Sequence, residues 1–74
     1  MNRTDQVFNA ILNHWREYAV PPVIRDIMAT TDITSTSVTH HYYAKLEKDG
    51  RIKMIKRHPV PIEIIKRIKG EFPS

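Results

Sequence analysis

Ser37, His40, His41, Ala44 and Lys48 stand at i, i+3, i+4, i+7 and i+11, the spacing that gathers side chains on one side of a helix. The stripe is small and polar at its start and basic at its end, and it contains no acid. An ordinary solvated helix face mixes Glu with Lys. Small side chains allow close approach, and Ser, Thr and His exchange hydrogen bonds with base edges and phosphates, so such a face can enter a DNA major groove. The free N–H groups of the first turn, near Ser35–Ser37, favour a phosphate oxygen. The competing reading is a solvated surface that happens to lack acids.

Other chemistry is weaker. His40 and His41 are neighbours in a helix and diverge by ~100°, while His14 and His58 have no histidine at i+4. A zinc site is not expected. No Gly-rich phosphate loop, nucleophile elbow or convincing carboxylate pair is present, so the chain is read as a non-enzyme without cofactor, metal or small-molecule ligand. Phe8, Trp15, Tyr42 and Tyr43 recur at helical spacing and are read as core rather than as a stacking platform for single strands.

The elements that must position the stripe follow from periodicity. Val7, Phe8, Ile11, Leu12, Trp15 and Tyr18 form an apolar stripe, predicting a first helix near Asp5–Tyr18, capped by Thr4 and stopped by Pro21-Pro22. Ile24, Ile27 and Met28 predict a short second helix that fades in Thr30-Thr31-Asp32. Ile33 is expected to plug the core at the turn. Within Thr34–Ser37, Ser35 is the favoured cap of a third helix running Val38–Asp49 and ending at Gly50. Thr39, Tyr42, Tyr43 and Leu46 are its core side. Ile52–Ile55 and Val60–Ile64 then read as two strands around Lys56-Arg57-His58-Pro59, with Pro61 marking an edge.

Length and charge bound the rest. Seventy-four residues, 41% of them apolar, make one domain over residues 1–74. Residues 65–74 are expected to be a loosely ordered basic segment that adds electrostatic affinity. There is no cysteine, and the longest apolar run is the six residues 19–24. A secreted disulfide scaffold and a membrane span are therefore excluded, and a cytoplasmic, nucleoid-associated location is expected. Before residue 40, three arginines face four acids, a net −1; from residue 40 onward nine bases face four acids, a net +5. That imbalance favours a polyanionic partner.

A short helix, a turn, a polar-faced helix and a hairpin outline an α+β, mostly helical winged helix-turn-helix. Residues 4–64 resemble the N-terminal DNA-binding domain of the LexA repressors. The resemblance rests on Gln6-Val7-Phe8, Pro21-Pro22, Asp26-Ile27, Ser35, Leu46 and Gly50 before an Ile-containing strand. It implies that the third helix reads bases through Ser35, Ser37, Val38, His40 and His41, and that the wing touches phosphate. Backbone contacts are expected from Arg25, Thr34, Thr36, Lys45, Lys48, Lys53, Lys56, Arg57 and His58. The family carries two acids where His40 and His41 stand, so its operator sequence does not transfer; its Ser or Thr opening the second helix is Val23 here, which weakens that cap.

No counterpart of the family's cleavage site or Ser/Lys protease domain occurs in these residues, and a free-standing regulator of bacterial or phage type is expected. Double-stranded DNA is the expected partner. A homodimer on DNA is left open, with Ile62, Ile64, Ile65 and Ile68 as an apolar patch that fits a dimer and the domain's own core equally well. The alternatives are a protein-interaction module and a sequence-neutral replication or packaging accessory.

Overall fold

Three helices, a two-stranded antiparallel hairpin and a final helix follow one another as α1 (Arg3–Tyr18), α2 (Ile24–Thr31), α3 (Thr36–Lys48), β1 (Ile52–Ile55), β2 (His58–Pro61) and α4 (Ile62–Glu71). The computed structural model describes the backbone of residues 2–71 and the side chains of residues 2–67. Its architecture is the winged helix-turn-helix that the periodicities predict.

The first helix starts earlier than expected. Asn2, not Thr4, is its cap, because the Asn2 side chain accepts the Asp5 N–H at 2.8 Å, and Asn is the stronger capping residue. At the other end Ala19 adopts φ 58° and donates its N–H to the Trp15 carbonyl. An alanine in the left-handed region costs roughly 1 kcal/mol, and Pro21 and Pro22 then lead the chain into α2. Tyr18 departs from the expected apolar stripe: it is 59% exposed, beyond the edge of the core.

Val7, Ile11, Ile27, Ile33, Tyr43, Leu46 and Ile52 make the buried centre, so every element from α1 to β1 contributes to one core. Ile33 does plug the turn between α2 and α3, after Asp32 reverses the chain at φ 60°. Phe8, Trp15 and Tyr42 sit at the rim of the core rather than inside it. Their polar edges or outer faces are in use, as described below.

Ser35 caps α3, its hydroxyl oxygen accepting the Val38 N–H at 3.3 Å. The helix therefore begins at Thr36, two residues before the expected Val38. It closes through paired bonds from Gly50 N–H to the Glu47 carbonyl and from Arg51 N–H to the Leu46 carbonyl, both 3.0 Å. That motif needs a left-handed residue, and Gly50 supplies it at φ 77°.

The second strand is His58–Pro61, not Val60–Ile64. Lys56 and Arg57, at φ 51° and 69°, form a two-residue turn, so pairing begins at His58 opposite Ile55 and ends with Pro61 opposite Ile52. The Ile62 N–H bonds back to the Arg51 carbonyl and the chain then winds into α4. Ile62 and Ile64 alternate around Glu63 as in a strand, but with Ile65 and Ile68 they fall at helical three- and four-residue steps. Ile64 is buried against the domain. Of the segment expected to be loosely ordered, residues 65–71 are helical, and residues 72–74 lie outside the described residues.

Candidate nucleic-acid interface

The two sides of α3 separate as their chemistry requires. Thr39, Tyr43 and Leu46 are buried, whereas Ser37, His40, His41, Ala44 and Lys48 are all exposed, with Val38 beside them at 44%. Buried Thr39 satisfies its hydroxyl by donating to the Ser35 carbonyl at 3.0 Å. His40 meets the Tyr43 ring edge-on at 5.9 Å between centroids, and His41 meets Tyr42 at 6.2 Å. These contacts limit ring motion while leaving both imidazoles on the surface. Ser35, expected among the base readers, is half-buried and serves as the helix cap; its O–H remains able to donate.

Thr34 and Thr36 flank the start of α3, Lys45 and Lys48 its end, and Arg25 lies on α2. Lys53, Lys56, Arg57 and His58 are on the hairpin, and all nine of these side chains are exposed. None of the cations among them is in an ion pair with another described residue. Unpaired cations are the ones available to neutralise phosphate.

The hairpin is gripped at one rung. Met54 faces Pro59 across the sheet as a non-hydrogen-bonded pair, whose backbone groups point out of the ladder, which is why a proline without an N–H is tolerated there. On the β1 side the Met54 N–H donates to the Glu47 carboxylate of α3 at 2.8 Å. On the β2 side the Pro59 carbonyl accepts the Trp15 indole N–H of α1 at 2.9 Å. Glu47 and Trp15 thus set the wing relative to α3, and the only acid on α3 is turned into the hairpin. Sequence reasoning missed both roles. Trp15 carried a signal, since a large aromatic with an N–H needs an acceptor; Glu47 carried none, because its partner is a backbone group.

Arg51 is withdrawn from the basic surface. Its guanidinium binds Asp5 at 2.8 Å and covers the Phe8 ring at 4.2 Å, tying the end of α3 to α1. His14 is likewise engaged, 3.0 Å from the Val20 carbonyl and 3.5 Å from Asp26. The Tyr43 hydroxyl is buried without a hydrogen-bond partner among the described residues. Burial, and after it the charge of Asp26, push it up to about 12.

The model of the LexA DNA binding domain matches residues 1–59, from the first helix to the second rung of β2. The chain belongs to this LexA family. A LexA repressor of Clostridium kluyveri is 35% identical over 66 residues, which is 89% of this chain and 33% of that protein. One of Lactobacillus johnsonii is 33% identical over 66 residues, with 89% and 32% covered. One of Desulforamulus reducens is 29% identical over 72 residues, with 97% and 34% covered. This chain spans about a third of the length of these LexA relatives. No solved structure matches it. Val23, where the resemblance implies a Ser or Thr, leaves α2 without a side-chain cap. α4 lies beyond the residues that the family model matches, though within the 72 residues matched by the Desulforamulus reducens repressor.

Proposed function

We propose that this chain is the reading head of a repressor-like transcriptional regulator that binds double-stranded DNA sequence-specifically. Family membership supports DNA binding by a repressor-like domain. The observation that carries the finer reading is the acid-free outer face of α3, exposed beside a fixed hairpin and between cations that have no ion pair among the described residues. In this reading Ser37, Val38, His40 and His41 meet base edges in the major groove, with Ser35 at the helix start. Arg25, Thr34, Thr36, Lys45 and Lys48 hold the flanking phosphates. The hairpin, through Lys53, Lys56, Arg57 and His58, follows the neighbouring backbone. The head works as one domain in the cytoplasm, on nucleoid or phage DNA, and no catalytic step is involved.

Selection of bound duplexes from a random pool tests this directly. The expected result is a defined site, with affinity falling against salt on a log–log slope of about −5 if six phosphates are neutralised. Recovery of unselected sequences, or a slope near zero, would refute it. His40→Ala and His41→Ala should each change the selected bases at a cost of about 1–3 kcal/mol. Arg57→Ala should weaken all sequences alike.

A further inference from the structure

A cleft of about 630 Å³ runs between α1 and α2. All its lining residues come from α1, the connecting loop and α2, among them Ala10, His14, Glu17, Tyr18, Val20 and Asp26, so it leaves the outer face of α3 open. Glu17 has no ion-pair partner among the described residues. Tyr18 and Val20 at the cleft and Val23 beside it are the most exposed large apolar residues of the chain's described part, at 59%, 50% and 56%. An acidic and apolar cleft on a basic protein is the wrong chemistry for DNA. It suits a helix that is itself basic and apolar.

Such a helix is on the same chain. α4 presents Lys66 and Arg67, both exposed and without an ion pair among the described residues, next to half-buried Ile65. The helix is fixed to α1 by Glu63, whose carboxylate takes the Arg16 guanidinium at 3.1 Å. Arg16 and Glu17 are consecutive: one holds α4, the other lines the cleft. Donor and acceptor surfaces therefore abut along α1. Two complementary patches lying side by side on each copy can meet reciprocally about a two-fold axis, which closes the assembly at two copies.

We propose that the α1–α2 cleft receives α4 of a second copy of this chain, forming a two-fold dimer in which Lys66 and Arg67 face the other copy's Glu17 and Asp26. Ile65 covers the exposed Tyr18 and Val20. Of the apolar patch expected from the sequence, Ile64 is already used by the core, so the contact is small and charge-steered. A dimer of this kind brings two reading heads onto a site with two-fold symmetry, which one head cannot specify alone.

Sedimentation of the chain without DNA tests the interface independently of DNA binding. At about 50 mM salt the chain is expected to dimerise at high micromolar concentration, and to dissociate as salt is raised to about 500 mM. Glu17→Lys, and separately Lys66→Glu with Arg67→Glu, should each weaken self-association about tenfold or more. The chain carrying all three changes should regain it. Far-UV dichroism and melting check that each variant is folded; Glu17→Lys spares the His14–Asp26 pair. A wild-type chain that stays monomeric at about 1 mM and low salt overturns the proposal. So does a dimer indifferent to either charge reversal, or a folded triple variant that does not recover. Loss of affinity for a single half-site duplex on reversing Lys66 and Arg67 alone, with self-association unchanged, would assign α4 to phosphate instead.

Discussion

Charge is used in opposite ways on the two sides of this small domain. Around α1 much of it is spent within the domain: Asp5 holds Arg51, His14 faces Asp26, and Arg16 holds Glu63 on α4, leaving Arg3 and Glu17 outside these pairs. Each contact ties the first helix to a different later element. On α3 and the hairpin the cations stand exposed and unpaired among the described residues, and Glu47 is engaged by a backbone N–H. Exposed ion pairs contribute little to stability, about 0–1 kcal/mol each, so the α1 pairs orient elements more than they hold the fold. The lesson is that the position of a charge relative to its neighbours, not net charge, marks the side proposed to face DNA.

The largest expected effect breaks that contrast outright. An acid placed on the outer stripe of α3, as in Ser37→Glu or His41→Glu, replaces a donor at a proposed base contact with a group that only accepts. Because the LexA family carries acids at positions 40 and 41, His41→Glu is expected to lose the duplex selected by the wild type rather than duplex binding as such. Binding to the selected duplex should fall about 100-fold or more, while the melting temperature stays within a degree or two because both sites are exposed. Equal binding by His41→Glu would remove the stripe from the interface. The same acid at Glu17's neighbour Asn13, on the α1–α2 side, should leave half-site affinity nearly unchanged.

The wing tip sharpens the contrast through strain. Lys56 and Arg57 both occupy the left-handed region, where a two-residue hairpin turn favours Asn-Gly. The pair Lys56→Asn with Arg57→Gly should raise stability by about 1–2 kcal/mol. It should also lower DNA affinity about tenfold and make the salt slope shallower by about 2, one increment per lost phosphate contact. Thermal melting and a salt titration on one preparation read both. Higher stability without the loss of affinity would mean that the tip does not touch DNA.

Much of this division was legible before any coordinates. The stripe of α3 was readable because Ser37, His40, His41, Ala44 and Lys48 obey a single helical period, and Gly50 marks its end chemically. The strand boundary at Ile62 was not, since Ile62 and Ile64 alternate around Glu63 as a strand would, while Ile65 and Ile68 extend them at helical spacing, and the turn at Lys56-Arg57 sets where pairing ends. Tyr18 was misassigned because periodicity does not say how far a core extends along a helix. The Glu47 and Trp15 contacts to the hairpin are side chain to backbone across 7 and 44 residues, and the sequence does not encode which carbonyl or N–H faces outward.

Tyr43 tests the buried side of α3 by pH. Its folded-state value of about 12 lies above the ordinary 10.0, because burial, and then Asp26, disfavour the phenolate. The neutral hydroxyl's contribution is complete below pH ~10 and is lost as pH rises toward about 12. Between about pH 9 and about pH 11 the wild type should lose about 1 kcal/mol from this group alone. Tyr43→Phe should lose that much less over the same range, and at neutral pH it should be no less stable, because the missing hydroxyl has no hydrogen-bond partner among the described residues. Identical pH slopes in denaturant melts of the two proteins would show that Tyr43 is open to solvent.

Glu47 gives the smallest effect and the finest division between holding and facing DNA. Its carboxylate fixes the hairpin through the Met54 N–H, yet it also places a negative charge between two cationic elements proposed to face phosphate. Glu47→Gln keeps a carbonyl oxygen for that N–H and removes the charge, so affinity should rise about two- to threefold at low salt and converge with wild type at high salt. Glu47→Ala removes both. The edge N–H then returns to water, stability drops by about 0.5–1 kcal/mol, and the wing loses its register against α3. If orientation of the wing matters, alanine weakens binding although it deletes the same repulsive charge. If the wing acts only as a loose cationic tether, alanine and glutamine tighten binding alike, and the comparison of the two substitutions on a single duplex distinguishes these cases.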